Sequence, residues 1–214
     1  MAIYKCGPCP LSPALTSVEN SDCGLEIGQI VRVFFQRKQD TPYWDGTTNV
    51  ITDIADWQTA MSAVDETKIV GTPLIGNSPM IGNPTIEAGE AQVYGGNDNS
   101  TFLGRAIVTD IDPSSFSMEL HNLAVDQASA LKDLMCYNDL QAYLIVQGDL
   151  CIAATDDDGT TYRGMNISST FVGDRTIGGI GTVNMNMLTF QLDAGWDNNI
   201  ETLQLTTGSF IYDL

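Results

Sequence analysis

Basic residues are scarce in this sequence. Lys and Arg together number 9 against 27 Asp and Glu, which gives a formal net charge of -18. Proteins that bind nucleic acid do so largely by neutralising phosphates with Lys and Arg. We therefore expect no specific nucleic-acid binding. Two explanations of the acidic surface stay open, since it can serve solubility or form a lining that repels a polyanion and lets it slide past.

Long apolar runs are absent as well. The longest are short, such as residues 142–146, whereas a helix that spans a membrane needs about 20 mostly apolar residues. The first ten residues contain charged, thiol and proline side chains where a secretory signal needs a continuous apolar segment. We therefore expect no membrane segment and no export by that route.

Cysteines are few, and no disulfide framework is visible. Their odd number, five, and their scattered positions fit a reducing compartment. The segment Cys6-Gly7-Pro8-Cys9 is identical to the active-site tetrapeptide of the thioredoxin family. That family places a strand before the motif and a helix after it, but here Pro10 interrupts any helix that follows. We therefore predict no dithiol catalysis.

No other complete catalytic or metal motif is present in the sequence. Cys6, Cys9 and Cys23 could hold zinc only with a fourth ligand from elsewhere, because no second CxxC or histidine pair follows. The single histidine, His121, has no serine in a GxSxG elbow to activate. We therefore expect no cofactor, no metal ion and no catalytic residue, and the chain is not expected to be an enzyme.

Three acidic residues and three glycines invite a ligand-binding explanation that their spacing does not support. Asp156-Asp157-Asp158-Gly159 resembles part of a calcium loop, but Ala154 and Met165 occupy the positions of the first and twelfth ligands. A hairpin turn between two strands is predicted there instead. The glycines precede a strand and lack the spacing of a phosphate-binding loop; they are Gly178, Gly179 and Gly181.

Aromatic residues leave one binding function open. Four aromatic side chains could together form a platform on which sugars stack. One of them, Trp57, has the spacing of a helical residue that faces the core. Carboxylate pairs are plentiful in so acidic a chain, and none stands out as a glycosidase pair. The four candidate platform residues are Tyr43, Trp44, Trp57 and Trp196.

Short segments of alternating apolar residues predict a mainly β fold. In residues 26–37, Val33 and Phe35, with Ile27 and Val31, are expected on one face and Ile30 with Arg32 and Phe34 on the other. Segments 102–111 and 115–121 are expected to pair through a turn at Asp112 and Pro113. The further predicted strands are 68–70, 141–147, 149–155, 160–171, 183–193 and 202–212.

Two helices and one long loop are predicted among these strands. Asp53 is expected to cap a helix over residues 57–64. Residues 71–99 are rich in Gly and Pro, which predicts a mostly irregular loop that contacts a neighbouring copy. In the second helix, residues 126–140, the spacing predicts a buried stripe of Ala130, Leu131, Leu134 and Met135.

These elements predict one β-rich domain at residues 25–214, preceded by an irregular amino-terminal arm at residues 1–24. The fold class is an antiparallel β-sandwich or barrel with one or two flanking α-helices. In this order of elements, residues 25–214 resemble the tail tube proteins of long-tailed bacteriophages. In that family a β-sandwich with a helix at its side closes into rings, and loops or terminal arms join each ring to the next.

The resemblance implies a virion structural protein, made in the host cytoplasm, that self-assembles into a homo-oligomeric ring or tube with other virion proteins. It implies a conduit for genome passage, and the acidic composition agrees with a lumen that does not hold DNA. The Cys6–Cys9 arm departs from the family. A capsid decoration, connector or spike protein is the main alternative, and an extracellular carbohydrate-binding module is a further one that leaves the thiols unexplained.

Overall fold

The computed structural model of the chain describes residues 29–75, 78–79, 81–96, 106–156, 159–178 and 183–205. The predicted arm at 1–24, with Cys6, Cys9 and Cys23, lies outside these ranges. The chain divides into two compact units. The larger comprises residues 28–90 and 112–214, and residues 91–111 belong to the smaller.

The fold is mainly β, and the predicted sandwich with flanking helices is confirmed. The helices are α1 (Ile54–Ser62) and α2 (Val125–Asp133), with short 3-10 turns at Leu134–Cys136 and Trp196–Asn199. The strands are β1 (Ile30–Arg37), β2 (Ile69–Gly71), β3 (Leu74–Ile75), β4 (Ser78–Pro79), β5 (Ile81–Glu87), β6 (Ala91–Tyr94), β7 (Ile107–Ile111), β8 (Ser114–His121), β9 (Leu140–Val146), β10 (Leu150–Thr155), β11 (Tyr162–Arg163), β12 (Met165–Val172), β13 (Met185–Leu192) and β14 (Ile200–Gln204).

Ten strands of the larger unit form one antiparallel sheet that folds over on itself. One half has the order β2-β1-β9-β10-β14, with β11 paired to the end of β10, and the other has the order β12-β13-β8-β5. The halves join where β12 begins, because Met165 pairs with Ala142 of β9 while the strand from Ile167 onward pairs with β13. Gly164 permits the crossing, since a Cβ there would lie 2.7 Å from the Cβ of Gln141.

Two apolar cores lie on opposite faces of the first half-sheet. Between the two halves, the ring of Phe35 meets that of Phe190 edge-on at 5.9 Å. On the far side, α1 contributes Trp57 to a second core that contains Phe34 and Tyr143. All seven residues of β9 are therefore buried, which explains its nearly continuous apolar sequence.

Helix α1 confirms the predicted cap. The Asp53 carboxylate accepts a hydrogen bond from the backbone N–H of Ala55 at 2.9 Å, as an N-cap residue does. Trp57 and Ala60 face the core. Val64, predicted as the last helical residue, lies beyond the end of α1 and is 99% exposed.

The predicted extent of the second helix, 126–140, is wrong. Helix α2 ends at Asp133 and continues as a 3-10 turn, in which the N–H of Tyr137 bonds to the carbonyl of Leu134 at 3.1 Å. This tighter winding advances each residue by a larger angle than the α-helical spacing assumes. Leu131 and Leu134 are buried, whereas Ala130 and Met135 are exposed.

The predicted faces of the first strand are also wrong at its start. Val33 and Phe35 share one core and Phe34 faces the other, as expected. A bulge between Ile30 and Arg32, however, places Ile30 with Val33 and packs Val31 on the opposite side. A bulge inserts one extra residue into the strand, so the residues before it exchange faces. The prediction assumed strict alternation of the two faces and therefore missed this exchange.

The expected pairing of segments 102–111 and 115–121 is wrong. Strand β7 pairs with β6, and both edges of β8 are occupied, by β5 and β13. Residues 71–99, predicted as a mostly irregular loop, contain strands in their described part. The ladder between β5 and β8 shifts register between Gly82 and Thr85, so Pro84 lies where its missing N–H is tolerated.

The closely spaced strands predicted in the last third of the chain are confirmed as β9 to β14, apart from residues 206–212, which lie outside the described ranges.

No helix within the described ranges has the length and apolar composition that crossing a bilayer requires.

Candidate assembly surface

The four aromatic residues considered for sugar binding do not form a platform. Trp44 and Trp57 are fully buried with their ring centroids 4.8 Å apart, and Tyr43 meets Trp44 edge-on. The indole N–H of Trp57 donates to the carbonyl of Ile51 at 2.7 Å. Trp196 packs partly buried against the other core. These side chains stabilise the fold and present no shared exposed face.

His121 lies on the polar side of β8, as the alternation of that strand predicts. Its Nε2 is 3.1 Å from a carboxylate oxygen of Glu119, and the amide of Asn83 on β5 donates to the other oxygen at 3.1 Å. These hydrogen bonds hold the pKa of the Glu119 carboxyl below its usual range, with His121 as the larger cause. The arrangement is a pair of neighbouring side chains on the outer face of the sheet.

The segment that resembles a calcium loop forms the predicted hairpin turn between β10 and β11. The N–H of Gly159 donates to the carbonyl of Asp156 at 3.0 Å, and Gly159 has a φ of 65°. The Asp156 carboxylate accepts from Nε of Arg163 at 3.1 Å. Asp157 and Asp158 lie outside the described residues, as do Gly179 and Gly181; Gly178 is described and exposed.

The hairpin formed by β6 and β7 exposes an unusual amount of apolar surface. Val93 pairs with Val108 and Tyr94 pairs with Ile107, so consecutive apolar pairs occupy opposite faces. These four side chains expose 53% to 58% of their surface, and Ile111 exposes 46%. Apolar patches of this kind mark interaction sites.

An open cleft of about 460 Å³ lies at one end of the larger unit. Its wall combines the end of β1, strand β2, and the connections that precede β2 and β9. It is mostly apolar towards the interior, and charged side chains line its mouth. The apolar lining residues are Phe35, Val64, Val70, Leu134 and Leu140, together with the ring of Tyr137.

Charged side chains of both signs line the mouth of this cleft, where Arg37 and Lys68 lie with Asp65 and Glu66. Arg37 binds the carboxylate of Asp139 with N–O distances of 2.7 and 3.1 Å, which holds the pKa of Asp139 below its usual range. The guanidinium also lies over the ring of Tyr137 at 5.4 Å. Lys38 and Lys68 are exposed, and neither forms an ion pair with another described residue.

Sequence reasoning missed both the hairpin and the cleft. The apolar pairs of the hairpin were visible as Val93 with Tyr94 and Ile107 with Val108, but the glycines between them suggested a loop. The cleft draws its lining from positions between Phe35 and Leu140. No local pattern connects residues so far apart, because only the packing of the strands brings them together.

Comparisons with known proteins include a weak likeness to a solved structure. No protein-family model matches the chain, and no curated protein matches it. The chain is similar to one in the cryo-EM structure of the anti-feeding prophage baseplate, with 9% sequence identity and a TM-score of 0.33. The match covers 90% of this chain and 100% of that one. Function is therefore inferred from this chain's own residues.

Proposed function

We propose that the chain is a non-catalytic structural subunit of a phage particle that self-assembles into rings, stacked as a tail tube, and joins other virion proteins. The observation that carries the proposal is the β6–β7 hairpin. Its apolar pairs lie on both faces and stay exposed within a single chain. A surface of this kind gains stability only when a partner covers it.

The partner in this proposal is a second copy of the chain. A hairpin that is apolar on both faces can pack between two neighbouring surfaces, which suits an element that joins subunits of a ring or of successive rings. The resemblance of the sequence to tail tube proteins rests on the same features, a β-sandwich with a helix at its side and extended connections.

Net charge supports the conduit that the proposal includes. The chain carries -18 in 214 residues, and a lumen made from such subunits repels the phosphates of a passing genome. A repelled polymer does not bind to the wall, so it can move through the tube. The acidic composition thus fits passage better than storage of nucleic acid.

The test is negative-stain electron microscopy and light scattering of the full chain, compared with a hairpin variant. We expect rings or tubes for the natural sequence and monomers for Val93→Ser combined with Val108→Ser. Phe171→Ser is the matched control, because Phe171 is 55% exposed and lies on β12, outside the hairpin. A natural chain that stays monomeric would overturn the proposal. Single rings that never stack would favour a connector or decoration protein.

A further inference from the structure

We propose that the outer face of the half-sheet β12-β13-β8-β5 binds a neutral polysaccharide, with the ring of Phe171 as its stacking platform. This inference goes beyond the proposed function and does not depend on the β6–β7 hairpin. Phe171 is 55% exposed, although other residues of β12 face the core between the half-sheets. An exposed aromatic ring offers the apolar C–H face of a sugar ring a large surface on which to stack.

A β-bulge turns Phe171 outward. The ladder between β12 and β13 shifts register between Ser168 and Phe171, so two residues of β12 lie opposite one of β13. With strict alternation from the buried Ile167, Phe171 would face the core, and the extra residue places it outside instead. Ser169 in this bulge has a φ of 52°, a strained value for a residue other than glycine. The strand therefore accepts backbone strain where it presents the ring, and such strain clusters at binding sites.

The residues beside Phe171 form polar rows across the half-sheet. Two neighbouring rows of paired residues cross all four strands on the outer face. The first row is Phe171, Thr189, Ser117 and Thr85, and the second is Ser168, Gln191, Ser115 and Glu87. Because neighbouring strands lie about 4.8 Å apart, each row spans about 14 Å. That length accommodates more than one sugar ring.

Some of these polar groups keep their hydrogen-bonding capacity for a ligand. The hydroxyls of Thr85 and Ser117 bond to each other at 2.8 Å. The side chains of Thr189 and Gln191 are partly exposed, and neither has a hydrogen-bond partner among the residues that the structure describes. Hydroxyl and amide groups both donate and accept, as sugar hydroxyls require. Thr189 and Gln191 can therefore orient a sugar that stacks on the neighbouring ring of Phe171.

The charges on this face favour a neutral ligand. The ionisable side chains on and beside the rows are Glu87, Glu119, His121, Lys132, Asp174, Arg175 and Asp193. The Glu119 carboxylate is 3.1 Å from His121, Lys132 pairs with Asp174, and Arg175 donates to the carbonyl of Leu123. Acidic groups outnumber Lys and Arg, so a sulfated or uronic-acid polysaccharide would be repelled. A neutral polysaccharide meets no such repulsion.

Biolayer interferometry of the full chain against immobilised polysaccharides tests the proposal. The neutral probes are dextran, mixed-linkage β-glucan, arabinoxylan and galactomannan, and dextran sulfate is the anionic probe. We expect binding to at least one neutral probe and none to dextran sulfate. Absence of binding to every neutral probe would overturn the proposal, and so would equal binding to dextran sulfate.

Variants identify the residues that bind. Phe171→Ser should weaken binding by about tenfold or more, because it removes the stacking ring, whereas Phe171→Tyr keeps a ring and should bind like the natural chain. Thr189→Val keeps the branched shape without the hydroxyl and should weaken binding by about 2- to 10-fold. Val64→Ser is the control, because Val64 is 99% exposed and lies outside this half-sheet. Equal binding by Phe171→Ser and the natural chain would overturn the proposal.

Assembly, measured on the same samples, separates this proposal from the proposed function. Phe171→Ser should assemble like the natural chain, so its lost binding cannot result from lost assembly. If Phe171→Ser instead yields monomers, the face is an interface between copies and the polysaccharide proposal is wrong. If the natural chain stays monomeric but binds a neutral polysaccharide through Phe171, this proposal stands and the proposed function fails.

Discussion

The phenol of Tyr143 donates a hydrogen bond of 2.7 Å to the side-chain carbonyl of Gln36, which links the neighbouring strands β9 and β1 inside the protein. The amide of Gln36 in turn donates to the backbone carbonyl of Thr67 at 3.1 Å. Burial raises the pKa of Tyr143, so the phenol keeps its proton. Two strands and the connection before β2 are thus joined through one buried glutamine.

Tyr143→Phe should destabilise the fold, because it leaves the buried carbonyl of Gln36 without this donor. Such a loss costs about 1–3 kcal/mol of unfolding free energy. Urea denaturation followed by tryptophan fluorescence measures it. Tyr137→Phe serves as the control, since Tyr137 is exposed. Equal midpoints for the two variants would show that the buried bond contributes nothing.

Leu131→Asp should destabilise the protein by several kcal/mol, because it places a carboxylate in the core between the half-sheets. The neighbouring Ala130→Asp should change stability by only about 0.5 kcal/mol, since Ala130 is exposed on the same helix. Thermal melting and soluble yield distinguish the two. If Leu131→Asp melts like the natural chain, the packing of α2 is wrong.

Gly164→Ala should destabilise the protein by about 1–3 kcal/mol, because the added methyl group would overlap the side chain of Gln141 where β12 crosses to β9. Gly173→Ala is the control, since its nearest neighbour would be an atom of Met187 at 3.5 Å, an ordinary contact distance. Chemical denaturation of both variants tests this. Similar midpoints would mean that the crossing has room for a side chain.

Asp45 should make stability depend on pH in acid. Its carboxylate accepts backbone N–H groups of Thr47, Thr48 and Asn49, which hold its pKa well below the usual range. A lowered pKa in the folded state stabilises the protein above the unfolded pKa of about 3.9, and this is lost as pH falls through the folded pKa.

The midpoint difference between the natural chain and Asp45→Ala should therefore be largest near about pH 7 and smaller near about pH 2.5. Urea denaturation at both pH values measures this difference. Asp40→Ala is the control, because the hydrogen bond that Asp40 accepts from Arg163 goes to its backbone carbonyl, which the substitution leaves in place. A difference that stays constant between the two pH values would exclude this contribution of Asp45.

Self-association should strengthen as salt rises. Subunits of charge -18 repel one another, and ions screen that repulsion over a Debye length of about 10 Å at 0.1 M. Light scattering across a salt series measures the association. Assembly that weakens with salt would show that ion pairs, and not apolar contacts, dominate the interface.

The alternation of apolar and polar residues along the sequence made much of the sheet predictable. The buried Phe116, Met118 and Leu120 of β8 follow a period of two without interruption, and the sequence therefore shows which side faces the core. The bulge after Ile30 could not be predicted in this way, because it depends on how β1 fits against β9 and leaves no distinct residue type.

The end of α2 and the cleft could not be predicted from local sequence patterns, because contacts between distant parts of the chain determine both. Leu140 begins β9 because that strand pairs with β1, and this distant pairing stops a helix whose local spacing could continue. The cleft likewise exists only after β2 and the turn at Leu134 come together. Tertiary contacts, which one sequence does not display, decide both features.

The pairing of β1 with β9 also constrains how the chain folds during synthesis. Gln36 and Tyr143 are 107 positions apart, so β1 has no neighbouring β9 until the ribosome has made that stretch. At synthesis rates of about 5–20 residues per second, this takes roughly 5 to 20 seconds. Throughout that time the apolar β1, with Phe34 and Phe35, is open to aggregation. We therefore expect the nascent chain to benefit from chaperone binding until β9 has been made.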